Sequence, residues 1–168
     1  MREAERRRTD RLFISIPIRV FGIDPVLGHF QEETHTIIVN RHGASIVLCH
    51  RLEPNDTIRI VNLENQLESN FRVVGRIRSS TGGGAEWGIE CLSEKINFWG
   101  MAYSSGHYPE RTPACALLAC QGCHDRFFWP LSPMQIEVLE MGGCLQNYCD
   151  HCGSETDWVP TDPRIRKP

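Results

Sequence analysis

LFISIPIRV (12–20) places Leu12, Ile14, Ile16, Ile18 and Val20 on one side of an extended chain and Ser15, Pro17 and Arg19 on the other. Alternation with period two marks a strand that turns one face to a core and the other to water. Pro17 offers no N–H to a neighbouring strand and points to an edge position. Outward from this stretch the same texture recurs. After the turn-rich FGIDPVLGH come THTIIVN (34–40) and, beyond His42-Gly43, ASIVL (44–48). Gly43 between two β-branched runs marks a tight turn or bulge. TIRIVNL (57–63), SNFRVVGRIR (69–78) and EWGIECL (86–92) follow, separated by LEPND and STGGGA. Six evenly spaced strands and no long amphipathic helix predict a mainly β protein built on a small six-stranded antiparallel β-barrel or sandwich. Its core should include Val47, Ile58, Ile60, Val73 and Ile89. SEKINFWGM (93–101) has room for a turn or two of helix that lays Phe98 and Trp99 on an open barrel end.

The texture changes near residue 105. SSGHYPERTP (104–113) is rich in Pro, Ser and Gly and reads as a linker. The chain then divides into a barrel domain with a basic N-terminal arm (1–103), the linker (104–113), a second module (114–160) and a tail (161–168). Such a linker predicts few contacts between the modules. At 168 residues, 40% hydrophobic and 23% charged with net charge -3, the composition is that of an ordinary soluble chain. No run approaches the ~18 apolar residues of a membrane span, and MREAERRRTDR lacks the apolar centre of a signal peptide. A cytoplasmic location is expected. There, eight cysteines suit metal binding better than disulfides.

Six of the eight, Cys115, Cys120, Cys123, Cys144, Cys149 and Cys152, fall between residues 115 and 152. CQGC (120–123) and CDHC (149–152) form two Cys-x2-Cys pairs. A two-residue spacer lets the backbone turn until both sulfurs face one point, and two such turns complete a tetrahedron of thiolates around Zn2+. ALLA (116–119) enters the first turn as a strand, RFFW (126–129) leaves it, and CGSETDWV (152–159) repeats the exit from the second. This is the pattern of a zinc ribbon with Cys120, Cys123, Cys149 and Cys152 as ligands. A competing reading is an iron–sulfur cluster, because Cys115-x4-Cys120-x2-Cys123 and CLQNYCDHC both show x4-x2 spacing. On the zinc reading, Cys115 and Cys144 are small buried hydrophobes of the approach strands or lie close around the ligands, and His124 and His151 are exposed residues of the turns. Four thiolates leave no open coordination position, and no nucleophile–base pair or phosphate loop can be assembled. A non-enzymatic protein is expected.

Arg7-Arg8-Thr9-Asp10-Arg11 places Arg-x3-Arg directly before the first strand, and TIIVNRHGASIVL, FRVVGRIR and EWGIECL follow it. Over about residues 6–101 the chain resembles a PilZ domain. In that family a six-stranded barrel receives the bacterial second messenger cyclic di-GMP through Arg-x3-Arg and an Asp/Asn-x-Ser-x2-Gly segment. The resemblance implies a cyclic di-GMP site built from Arg7, Arg8, Arg11, Asn40, Arg41 and Gly43. Guanidinium forks suit phosphates and also stack on guanine. The second motif departs from the family pattern. Aligned on Gly43, Asn40 stands for Ser and Ile38 for Asp or Asn; aligned on Asn40, His42 stands for Ser and Ser45 for Gly.

Two function classes follow. One is a cyclic di-GMP receptor and signalling adaptor whose barrel is coupled to the ribbon. The other is a barrel that binds no nucleotide and serves with the ribbon as an adaptor for protein or nucleic acid. Phe127, Phe128, Trp129 and Trp158 suit a protein contact or a ribbon's small core. Nucleic acid finds few cations in the ribbon, since Glu137, Glu140, Asp150, Glu155 and Asp157 oppose HDR (124–126) and the terminal PRIRKP.

Overall fold

The computed structural model describes residues 12–79, 82–93, 96–101 and 114–161, without the side chains of 114 and 115. Among the described residues, seven strands precede the linker: β1 (Leu12–Phe13), β2 (Pro17–Asp24), β3 (Gly28–Val39), β4 (Gly43–Leu48), β5 (Thr57–Asn62), β6 (Glu68–Ser79) and β7 (Ala85–Cys91). Six of them close an antiparallel barrel in the order β3-β2-β5-β6-β7-β4, with β4 returning to pair with β3. β1 adds outside β3. The expected mainly β barrel is the fold observed.

The opening stretch is two strands rather than one. Thr36 stitches the break at 14–16: its Oγ1 donates to the Ile14 carbonyl (2.6 Å) and accepts from Ile16 N–H (2.9 Å). Ile16, Ile18 and Val20 are fully buried and Ile14 packs against them, as alternation requires. Pro17 is not on an edge strand, because β2 lies between β3 and β5. It is the first residue of β2, where no ladder N–H is needed, and its carbonyl accepts from Leu63 N–H (3.0 Å). The turn-rich segment after Val20 is the tip of the β2–β3 hairpin. Asp24 Oδ1 accepts from Val26 N–H (2.8 Å) and Leu27 N–H (3.0 Å), and Oδ2 from Arg51 N–H (2.8 Å).

Ile58, Ile60, Val73 and Ile89 fill the barrel as expected. Val47 does not. It pairs with Glu86 while its neighbours Ile46 and Leu48 point inward, so period two turns it out. Phe98 and Trp99 plug one end, edge-on to each other at 4.7 Å, with Phe71 4.9 Å from Phe98. They do so from a turn, since none of the described residues in 93–101 is helical.

Beyond the linker, β8 (Ala114–Cys120), β9 (Arg126–Leu131), β10 (Leu145–Cys149) and β11 (Ser154–Pro160) form a second sheet in the order β10-β11-β8-β9. Helix α1 (Pro133–Glu140) intervenes, an element the sequence reading did not include. Its start is specified by a capping box: Ser132 Oγ accepts from Gln135 N–H, and Gln135 Oε1 accepts from Ser132 N–H (2.8 Å).

The expectation of few contacts between the two units fails. Val74 and Ile77 of β6 share a core with Met134, Val138, Leu139, Leu145, Leu118 and Trp158. Across β3, β4, β7 and β6, cross-strand partners set Ile38, Ser45, Gly88 and Gly75 in one outward-facing row. The two glycines let α1 and the segment after it approach the sheet. A Cβ at Gly88 would stand 2.3 Å from Val138 Cγ2, and one at Gly75 2.4 Å from the Cys144 carbonyl oxygen. Cys144 N–H closes the seam with a 3.1 Å hydrogen bond to the Arg76 carbonyl.

Candidate metal centre

Each Cys-x2-Cys lies at the tip of a hairpin. β8 runs into Cys120 and β9 leaves after Asp125; β10 runs into Cys149 and β11 leaves from Ser154. The turns match in detail. His124 N–H donates to the Cys120 carbonyl (2.9 Å), and Gly153 N–H to the Cys149 carbonyl (2.8 Å). The residue after each second cysteine is left-handed, His124 at φ 63° and Gly153 at φ 68°. Glycine adopts that conformation freely, whereas histidine does so at a small steric cost.

These turns bring the Sγ atoms of Cys120, Cys123, Cys149 and Cys152 within 4.8 Å of one another. Cys120 Sγ is 3.9 Å from Cys152 Sγ, and Cys123 Sγ is 3.7 Å from Cys149 Sγ. A metal about 2.3 Å from each sulfur of a tetrahedron sets the sulfurs roughly 3.8 Å apart, so the four fit a single ion. The four cysteines expected as ligands therefore lie close enough together to hold one metal ion. Cys144 lies apart, its Sγ 3.9 Å from the Arg76 carbonyl oxygen at the barrel seam and half-buried. Burial, with Asp157 nearby, pushes its thiol up to about 11.

The surroundings favour a thiolate at Cys120. Burial raises the group, but Thr156 Oγ1 at 3.0 Å and the backbone N–H groups of Cys123 and Gly122 outweigh it, bringing it down to about 6. At Cys123 the Asp125 N–H lowers the thiol. Burial and the thiols of Cys149, Cys120 and Cys152 win, and it is pushed up to about 12. Four thiols this close cannot all ionise against one another. A cation at their centre removes that conflict. Thr156 and Gly122 belong to the site although no spacing rule singles them out. A Cβ at Gly122 would meet Thr156 Cγ2 at 3.1 Å, so the turn and β11 fit closely. His124 and His151 are exposed, with His151 Nδ1 3.7 Å from Asp125 Oδ2.

Of the aromatics, Trp158 is buried and Trp129 packs beside it at 5.1 Å. Phe128 is 74% exposed.

Arg7, Arg8 and Arg11 lie outside the described residues. Asn40, Arg41 and Gly43 share the turn between β3 and β4. Asn40 Oδ1 accepts from His42 N–H and Gly43 N–H, both at 2.8 Å, and its Nδ2 donates to Met134 Sδ at 3.2 Å. Arg41 and His42 are exposed. Gly43 is required by the backbone, since a Cβ there would stand 1.8 Å from the Ile89 carbonyl oxygen. Ile38 is 8% exposed and sits on the outer face, not in the barrel interior.

No family model matches the chain, and neither the curated proteins nor the solved structures contain a significant match to it. Among the described residues, no helix is long and apolar enough to cross a membrane.

Proposed function

We propose that the chain is a PilZ-like signalling adaptor that receives cyclic di-GMP on its barrel and is braced by a zinc-loaded ribbon. The register of β1 carries the reading. Leu12 pairs with Val39 and Phe13 with Ile38, so Leu12 lies beside the strand end that leads into the Asn40–Gly43 turn. Of the residues assigned by resemblance, Asn40, Arg41 and Gly43 lie on this turn, and Arg7, Arg8 and Arg11 precede Leu12 in sequence. Arg7, Arg8 and Arg11 would supply forked donors to phosphate and flat faces to guanine. Arg41 would contact the far side of the ligand from its exposed position on the turn.

The metal is zinc on this reading. Closed sites of four cysteines in paired Cys-x2-Cys turns are a standard zinc arrangement. Thiolates that serve separate irons of a cluster must stand further apart than one tetrahedron edge, and Cys144 is turned away to the seam. With four protein ligands the ion is structural, and the role of the chain is binding rather than catalysis.

Calorimetric titration of the zinc-loaded chain with cyclic di-GMP tests the receptor reading. Micromolar or tighter binding is expected, weakened about ten- to a hundredfold by Arg11→Ala. Arg11→Lys should fail as well, because an ammonium neither forks nor stacks. A nucleotide-free adaptor is the second reading, favoured by Asn40, whose oxygen already holds two backbone donors. Absence of heat well above micromolar nucleotide would establish that alternative.

A further inference from the structure

The tip of the β2–β3 hairpin is apolar where a turn is ordinarily polar. Pro25, Val26 and Leu27 join the two strands, with Val26 73% and Leu27 74% exposed, and Ile23 at the end of β2 is 57% exposed. A single exposed aliphatic residue is ordinary, but three on one hairpin tip form a patch. The tip also projects. β5 pairs with β2 only as far as Phe21, whereas β2 and β3 stay paired out to Asp24 and Gly28.

The backbone of this tip is sealed from within. Pro25 has no N–H, and the N–H groups of Val26 and Leu27 both donate to Asp24 Oδ1, at 2.8 and 3.0 Å, on a side chain whose residue is 3% exposed. None of the three turn residues therefore turns an amide donor outward. The base is clamped as well: Phe30 stacks on His50 with ring centroids 4.2 Å apart, His50 Nδ1 lies 2.6 Å from Glu32 Oε2, and Arg51 N–H donates to Asp24 Oδ2 at 2.8 Å. A partner protein offers acceptors to open backbone donors, but hydrocarbon offers none, so a segment that enters lipid must satisfy its donors itself. This tip does so in advance, and a tip already ordered loses little conformational freedom on entry. The charged groups beside it suit a headgroup layer. Arg51 is exposed next to Asp24, and His29, exposed, pairs with Ile23 across the hairpin; Glu53, two residues beyond Arg51 and also exposed, limits the attraction to anionic lipid.

We propose that the β2–β3 hairpin tip is a peripheral lipid anchor: Ile23, Val26 and Leu27 enter the interfacial region of a bilayer, and Arg51 meets its headgroups. The anchor holds one end of the barrel at a membrane surface without crossing it. Apolar entry supplies most of the attraction and anionic lipid a smaller part. The anchor is independent of whether the barrel receives a nucleotide, since none of its residues lies on the Asn40–Gly43 turn.

Sedimentation of the full, metal-loaded chain with vesicles of phosphatidylcholine and phosphatidylglycerol tests the anchor. Half of the chain should sediment at about 1 mM accessible lipid, roughly tenfold more lipid than a single myristoyl chain requires. Combining Val26→Ser with Leu27→Ser should weaken this by at least about tenfold, because binding scales with the apolar area that enters. Both serines keep their N–H groups and replace only exposed side chains, so the thermal midpoint should not move. Leu27→Trp gives a second reading: its emission should shift to shorter wavelength when vesicles are added, whereas that of the native chain, from Trp87, Trp99, Trp129 and Trp158, should not. If the native chain stays in solution at this lipid concentration, the proposal is overturned and the tip is left to a partner protein. Sedimentation that the double substitution leaves unchanged would overturn it equally, because the bilayer would then be met by another surface of the chain.

Discussion

The carboxamide of Asn40 gathers His42 N–H and Gly43 N–H onto one oxygen, which fixes the turn that the resemblance assigns to ligand binding. Asn40→Ala leaves two backbone donors without that acceptor and should cost about 1–3 kcal/mol, read as a lower urea midpoint. Asn40→Asp keeps the acceptor and should cost less; equal losses would mean that the amide, not the oxygen, is what matters. Gly43 is more constrained. The nearest atom to a Cβ there is the Ile89 carbonyl oxygen in the backbone of β7, which has no rotamer to change. Gly43→Ala should destabilise by about 3 kcal/mol or more, or prevent folding. Asp24 is a titrating counterpart. Backbone donation from Leu27, Arg51 and Val26 holds its carboxyl below the usual value of 3.8. Its contribution is therefore complete above the unfolded pKa and is lost as pH falls through the lower, folded value. Thermal midpoints should drop more steeply below pH 3.8 for the native chain than for Asp24→Asn. Parallel curves would show that Asp24 does not couple folding to protons.

Elements divide by how local their cause is. β5 was legible because Ile58 and Ile60 alternate with Arg59, and an alternating strand needs only its own sequence to declare a buried face, whereas Ile46, Val47 and Leu48 stand in a row on β4 and left the direction of Val47 open. β3 was read short, since GHFQEE carries one buried apolar residue, Phe30, among polar neighbours. Helix α1 was missed although its cap is written in Ser132-Pro133-Met134-Gln135, because eight residues give too few turns for periodicity to stand out. The cysteine tetrahedron was legible in full: two spacers of two residues carry the geometry without help from the rest of the fold. The metal test belongs here. Cys120→Ala should abolish stoichiometric zinc, whereas Cys144→Ala should leave it intact, as measured by metal analysis of freshly purified protein. Equal losses would mean that Cys144 is a ligand. A visible charge-transfer spectrum would instead point to iron and sulfide. Stripping the metal should unfold β8–β11, whose core is too small to stand without it.

At the scale of the whole molecule, the two units are joined through residues that carry no sign of it in the sequence. Gly75 and Gly88 look like weak points of two strands until Cys144 and Val138 are placed against them. Val74 likewise reads as one more residue of a barrel strand, yet it belongs to the ribbon's core. Residues 1–103 alone should therefore keep the barrel but expose Val74 and Ile77. That should lower stability by about 3 kcal/mol and cause self-association visible by size-exclusion chromatography. A monomeric fragment as stable as the full chain would show that the seam contributes nothing to the barrel. The separation of 68 positions between Arg76 and Cys144 also imposes an order in time. A ribosome adding about 5–20 residues per second finishes β7 several seconds before it reaches Cys144. Throughout that interval the nascent barrel has every strand it needs and no ribbon, so each newly made molecule passes once through a bare form before it first captures metal.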